Sequence, residues 1–294
     1  MPFHHRVEYF FFKLLQSVVL MLPLKSAQLL GAFLGTIAYH IIGGRRRVAL
    51  ENLQHAFPEK PETERRAIAK GAFKNYGITF AEFLRFPKFH PEEIQRLIRF
   101  PDKQFLMDVR ARGKGLLMLT GHFGNWELTA FTTGWLLQGE FLIIVQTQSN
   151  RLVNKVIDDL RCLLGNKTVP MGKAAREVLR ALEQKSAIGI APDQSGAMES
   201  VYVDFFGRNT ATHEGTAVFA MKTGAPIVFM FCTRQPDFTY TMTYEEVSTE
   251  NLPEGREARI KEITQRHTAL LEQHIRKYPD QWLWMHRRWK HVEL

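Results

Sequence analysis

The most constraining stretch of the chain is Gly115-Leu-Leu-Met-Leu-Thr-Gly-His-Phe-Gly-Asn-Trp-Glu127. The apolar run after Lys114 is too short for a helix and is bounded by glycine, so it reads as a buried strand. Gly121 and Gly124 bracket His122 and permit a tight turn with close backbone approach. Asn125 is a good N-cap, and Leu128, Phe131 and Leu136 then follow a helical pattern. His122 is therefore expected in a strand-to-helix turn, with Glu127 in the first turn of the helix.

That placement bears on chemistry. Inside one continuous helix, residues five apart point about 140° apart and cannot meet. With His122 in the turn, the Glu127 carboxylate can fold back onto the imidazole. It would then fix the tautomer and stabilise the imidazolium formed on proton uptake. The helix N-terminus nearby disfavours a charged ring. No Ser or Cys lies beside the histidine, so the expected chemistry is removal of a proton from a substrate hydroxyl. A lone His-x-x-x-x-Glu also occurs in solvated or structural pairs; the flanking glycines at a strand end favour catalysis.

His122-Phe-Gly-Asn-Trp-Glu127 resembles the signature block of the lipid A biosynthesis acyltransferases, lauroyl and myristoyl transferases of the lysophospholipid acyltransferase superfamily. Three more blocks follow in family order. Arg45-Arg-Arg-Val-Ala-Leu-Glu-Asn-Leu-Gln-His-Ala-Phe-Pro58 resembles the N-terminal block. Pro192-Asp-Gln194, Phe205-Phe-Gly-Arg208 and Thr223-Gly-Ala-Pro226 resemble the central one, and Gln281-Trp-Leu-Trp-Met-His-Arg-Arg-Trp-Lys290 the C-terminal one. The resemblance implies a glycerolipid-acyltransferase-like α/β fold, a mixed central sheet flanked by helices. It implies transfer of a fatty acyl chain from acyl carrier protein to a hydroxyl of a lipid A precursor, with His122 as base oriented by Glu127. Arg161 falls where the family carries an Arg before a Gly, and a cation there can hold the oxyanion on the thioester carbonyl; dipole compensation at a helix end is the alternative. Asn125, Asp193, Gln194, Arg208, Arg287 and Arg288 are carried over as substrate contacts. Many relatives have Tyr-Arg-Pro where this chain has Gln146-Thr147-Gln148, and an Asp where it has Ser195.

The rest of the chain bounds this reading. Net charge is +9, which suits an anionic membrane, a phosphorylated substrate or an acidic partner protein. No zinc-finger spacing, RNA-binding signature or recognition helix accompanies it, so nucleic acid is not an expected partner. Cys162 and Cys232 have no metal-ligand spacing and fit reduced thiols in a cytosol-facing protein.

Residues 9–24 and 27–42 are two apolar runs of about 16 residues, shorter than the roughly 20 that cross a bilayer. They are expected to insert partly into one leaflet or to form one tilted span; a signal peptide and a buried helical hairpin are the alternatives. Arg45, Arg46 and Arg47 then fit anionic lipids on the cytoplasmic face of a bacterial inner membrane. Residues 1–44 are read as the membrane-anchoring segment and residues 45–294 as the acyltransferase domain.

Residues 45–112 read as helical. Strands are expected at 141–145, 187–191, 226–232 and 238–244. Helices are expected after Asn150, at 173–184, at 210–222 and at 256–278. Asp193 and Gln194 lie just past a strand's C-terminal end, where ligands gather in α/β sheets; a turn-stabilising Asp is the alternative. In the tail, Arg287, Arg288 and Lys290 can clamp phosphates while the tryptophans sit at the membrane interface, or the arginines can pair internally.

No Gly-x-Ser-x-Gly elbow exists, His213-Glu214 lacks the second His of a zincin, and Gly172-Lys173 lacks the rest of a P-loop. No cofactor and no metal are expected. Besides the lipid A acceptor, the residues leave open another glycolipid or phospholipid acceptor, an acyl-thioesterase, and a membrane-binding protein without turnover.

Overall fold

A computed structural model describes residues 2–101, 103–139 and 141–293. Helices α1 (Phe3–Met21), α2 (Leu24–Ile41), α3 (Gly43–Ala56) and α4 (Glu62–Leu84) open the chain. They are followed by α5 (Pro91–Leu97), β1 (Ile98–Arg99), α6 (Lys103–Ala111), β2 (Leu116–Leu119) and α7 (Trp126–Leu136). The central part is β3 (Phe141–Val145), α8 (Arg151–Arg161), β4 (Lys167–Pro170), α9 (Ala174–Glu183) and β5 (Ala187–Ile190). After β6 (Val201–Asp204), β7 (Asn209–Thr212) and α10 (Gly215–Thr223) come β8 (Ile227–Arg234), β9 (Tyr240–Val247), α11 (Arg256–Lys277) and β10 (Val292–Glu293).

Seven strands form one mixed sheet in the order β1-β9-β8-β2-β5-β3-β4; only the β8–β9 pair is antiparallel. Its central strands are apolar without alternation, because helices cover both faces. Leu117, Leu119, Ile188, Phe229 and Phe231 pack into one layer with residues of α9, α10 and α11. Leu116, Met118, Ala187, Val228 and Met230 point the other way, onto α5, α6 and α7. Helix α4 serves both layers, with Ile68 to Phe73 in the first and Ala81 to Leu84 in the second.

The strand expected at 238–244 begins at Tyr240, and the helix expected at 210–222 is corrected. Residues 209–212 form β7, which pairs with β6 through a two-residue hairpin turn. Phe206 (φ 56°) and Gly207 (φ 72°) both adopt the left-handed region that such a turn needs, and Thr210 and Thr212 favour the strand. The helix begins only at Gly215.

Helix α1 packs on α4 and α8 and helix α2 on α4, and the two leave Phe10, Phe11, Leu14, Phe33, Ile37 and Ile41 exposed. No single helix among the described residues is long and apolar enough to cross a bilayer. The α2–α3 pair passes that test only when taken together, across an 89° bend.

Candidate active site

Strand register assembles the site. In the β2–β5 pair Leu119 lies opposite Ile190, and His122 and Asp193 each follow three residues later. Two neighbouring parallel strands thus deliver both side chains to the C-terminal edge of the sheet, where ligands bind in open α/β sheets. His122 Nδ1 is 2.7 Å from Asp193 Oδ1, and the His122 backbone N–H donates to Asp193 Oδ2 at 2.7 Å. Trp282 Nε1 donates to the same Oδ2 at 2.9 Å. An ionised Asp193 accepts the Nδ1 proton and leaves Nε2 as the basic nitrogen. Gln194 Nε2 lies 3.4 Å from that nitrogen.

Burial pushes the imidazole toward neutrality, but the Asp193 charge and hydrogen bond outweigh it and leave the His122 pKa above its ordinary 6.5. Burial likewise pushes the Asp193 carboxyl up, and His122 and its hydrogen bonds override this, holding it at about 2.

The hydrogen bond expected between Glu127 and His122 is corrected. Glu127 instead forms a two-point pair with Arg161, at 2.9 Å from Nε to Oε2 and 2.5 Å from Nη2 to Oε1. A guanidinium fork matches a carboxylate better than an imidazole does, and α8 presents Arg161 directly across from α7. Against the upward push of burial, Arg161 holds the Glu127 carboxyl below its ordinary 4.5. Glu127 therefore acts on His122 only through its field, which raises the imidazole pKa. Both members of the pair line the cavity beside His122.

The turn itself is held from behind. Gly124 (φ 57°) packs so tightly that a Cβ would lie 1.8 Å from the Cys232 carbonyl oxygen. Its carbonyl accepts from Asn75 Nδ2 at 3.1 Å and Thr79 Oγ1 at 3.0 Å, and its N–H donates to the Gln281 carbonyl at 2.8 Å. Asn125, expected as a substrate contact, is corrected: it is fully buried and caps α7 by accepting from the Leu128 N–H at 2.9 Å. Its amide donates at 2.7 Å to Glu82, whose carboxylate also accepts from Gln28, Tyr240 and Arg234. A lone carboxylate among Ile78, Ala81, Phe83 and Leu84 is the sequence signal that could have exposed this network.

The remaining arginines lie elsewhere. Arg288 is buried and donates to the Ala211 carbonyl at 2.7 Å and to Thr212 Oγ1 at 2.6 Å, so it locks the C-terminal segment instead of facing a ligand. Burial lowers its pKa to about 10. Arg287 is exposed, and neither it nor Arg208 lines the His122 cavity. The Trp282 and Trp284 rings are core, not membrane interface. His213, read only as part of a failed zinc motif, lines the cavity. Among the described residues, no group of His, Cys, Asp and Glu is placed to hold a metal.

The cavity, about 350 Å³, is polar at its mouth and apolar in depth. His122, Glu127, Arg161 and Gln194 surround the mouth; Met118, Phe141, Ile143, Gly189 and Met230 line the interior. A base beside a slot of this kind suits a substrate with a reactive polar end and a hydrocarbon tail.

The bacterial lipid A biosynthesis acyltransferase family matches residues 3–291. Over 279 residues the chain is 28% identical to the lipid A biosynthesis lauroyltransferase of Escherichia coli (strain K12), covering 93% of this chain and 88% of that protein. It is 25% identical over 272 residues to the palmitoleoyltransferase of the same organism, covering 92% and 86%. To the myristoyltransferase of that organism it is 26% identical over 183 residues, covering 62% and 56%. With one family description running through nearly every element from α1 to α11 and across the His122 turn, the chain belongs to the bacterial lipid A biosynthesis acyltransferases and is an acyltransferase.

Proposed function

We propose that the protein transfers a fatty acyl chain from acyl carrier protein to a hydroxyl of a lipid A precursor, with His122 as general base. The observation that carries this is the Asp193-held imidazole at the mouth of a cavity whose depth is apolar. The deep cavity takes the transferred chain and leaves its thioester carbonyl at the mouth. His122 Nε2 accepts the hydroxyl proton as the oxygen attacks, and the collapsing intermediate releases the carrier thiol, which takes that proton from the imidazolium. The products are an ester and a free thiol. Asp193 orients the ring and stabilises its charged form.

Arg161 is the candidate oxyanion donor. Its Nε and Nη2 are engaged by Glu127, which aims the guanidinium into the cavity and leaves Nη1 for the developing charge. Gln194, next to Nε2, positions the incoming hydroxyl.

The net charge of +9 suits an acidic carrier protein and a phosphorylated sugar. The exposed apolar side chains of α1 and α2, with Arg45 and Arg47 exposed at the start of α3, support partial insertion of residues 1–44 into the cytoplasmic leaflet of the bacterial inner membrane.

The test is to incubate purified protein in detergent with acyl carrier protein bearing mixed C12, C14 and C16 chains and a tetra-acylated lipid A precursor. Mass spectrometry should find the lipid heavier by one acyl chain, and His122→Ala should abolish this product in a folded protein. Full transfer by His122→Ala would refute the mechanism; free fatty acid without lipid product would refute the acceptor.

A further inference from the structure

Three cavities adjoin in series, and His122 lines two of them. The deep one, already described, shares His122, Trp126, Glu127, Gln148, Arg161 and Gln194 with a middle cavity of about 260 Å³. That middle cavity shares Tyr76 and Phe80 with a third, a groove of about 180 Å³ between α1, α2 and α4. The groove has no charged side chain in its wall; its lining is Leu, Val, Ala, Gly, Phe and a single Tyr.

Aromatic rings connect the groove to the base. Phe12 meets Phe80 at 5.9 Å, Phe80 stacks on Tyr76 at 6.4 Å, and Tyr76 stacks on Trp126 at 6.1 Å. Trp126 in turn lies 5.1 Å from the His122 ring.

The floor of the groove is backbone. A Cβ at Gly31 would lie 2.5 Å from the Gly77 carbonyl oxygen, one at Gly77 2.2 Å from the Gly31 oxygen, and one at Gly35 2.3 Å from the Phe73 oxygen. Helices α2 and α4 are therefore already as close as their main chains allow. The groove cannot close by bringing them together, and its glycines have no side chains to fill it. Its rim is the exposed Leu34 and Tyr76, and Leu34 adjoins exposed Phe33 and Ile37 on α2.

We infer that this groove holds an acyl chain of the acceptor lipid, which enters from the exposed apolar side of α1 and α2 and brings its hydroxyl to His122. This rests on the acyl-transfer reading above. With the deep cavity filled by the chain being transferred, the acceptor's own hydrocarbon needs a second apolar surface within reach of the same base. The groove reaches that base through the middle cavity, and its uncharged wall suits neither a carrier protein nor a sugar phosphate. Each methylene laid in it removes apolar surface from water.

The test fills the groove without touching the base. Ala38→Phe and Leu30→Trp place bulk in its wall at positions away from His122 and Asp193. Transfer is measured to two acceptors that share a headgroup, one with long hydroxyacyl chains and one with four-carbon chains. The expected result is a KM for the long-chain acceptor raised about tenfold, the loss of burial of one to two methylenes, with KM for the short-chain acceptor unchanged. Equal KM values in variant and wild type, with melting temperature intact, would overturn the assignment, and so would an equal rise for both acceptors.

A second measurement needs no turnover. An acceptor carrying a photoreactive diazirine near the end of its hydroxyacyl chain should label peptides from residues 24–41 and 62–84. Label confined to other segments would overturn the proposal. If wild type labels as expected but transfers no chain to either acceptor, the groove assignment stands and the reaction assignment falls.

Discussion

Phe141 should set the length of the chain that is transferred. It stands opposite Ala187 in the β3–β5 pair, and its ring leans two pairs along onto Gly189, where a Cβ would lie 2.6 Å from Phe141 Cζ. Phe141 thus lines the same cavity as His122 from the first residue of β3, the strand end opposite the edge that carries His122. From Val145 at the mouth to Phe141 is four steps of β3, about 13 Å at about 3.3 Å per residue. Carbon–carbon bonds of about 1.5 Å at tetrahedral angles advance about 1.25 Å per carbon. That depth holds about 10 carbons, and the step from Val145 out to the base adds roughly two to four more. The preferred donor is thus expected near C12 to C14.

Replacing the ring by the smaller Phe141→Leu or Phe141→Ala should move the optimum up by about two to four carbons. Each further buried methylene contributes about 0.8 kcal/mol, so two of them shift the ratio of kcat/KM values between C16 and C14 donors by about 15-fold. Phe141→Ala also leaves a cavity costing about 3–5 kcal/mol of stability, so Phe141→Leu is the safer variant and a urea melt accompanies both. Gly189→Ala should act in the opposite sense, because its methyl drives the ring tip further into the cavity. The assay is competition among C10 to C18 acyl carrier protein donors, read by mass spectrometry of the lipid product. An unchanged chain-length ranking in folded Phe141→Leu and Gly189→Ala proteins would refute the reasoning.

Asp193→Asn should lower kcat/KM by about a hundred- to ten-thousandfold with folding retained. In wild type the rate should rise with pH through the His122 pKa, which lies above 6.5, since only the neutral ring accepts a proton. In Asp193→Asn burial is no longer opposed by that charge, so a pH–rate profile should show the acidic limb moved down. The Asp193 carboxyl, ordinarily near 3.8 and held at about 2, adds stability that is present above 3.8 and lost as pH falls toward 2; acid titration of the melting temperature reads this. Glu82→Ala strands the buried Arg234 guanidinium, 3.3 Å away, and should cost about 3–5 kcal/mol in a urea melt. Gly124→Ala meets both a left-handed φ and the Cys232 carbonyl, and should lose about 1–3 kcal/mol from the backbone conformation alone; wild-type activity and melting temperature would contradict that packing.

Much of the site was legible residue by residue. The short apolar run at 116–119, the glycines around His122 and the Asn125 cap are local signals, and they appear in the structure as β2, a left-handed turn and a capped α7. Asp193 was recognisable as a polar residue at a strand's end. The β6–β7 hairpin is not legible in the sequence because Phe206 enters the left-handed region, which its side chain alone does not announce. Arg288 and the tryptophans looked like a membrane-facing tail because aromatic and basic residues alternate there. Their burial depends on the last segment threading back over the His122 turn, where the Leu283 N–H donates to the His122 carbonyl at 3.0 Å.

By itself the sequence determined the central strands and most of the helices: periodicity, capping and glycine placement act over a few residues and need no partner. It also determined that a histidine would stand at a strand's edge. Only the tertiary structure decided which carboxylate holds it. His122 and Asp193 are 71 residues apart in sequence. They meet because β5 returns to lie beside β2 in register, while Glu127, five residues away, is claimed by Arg161 from α8. Proximity along the chain favoured Glu127. Strand pairing, a long-range choice made by burying both faces of the sheet, favoured Asp193.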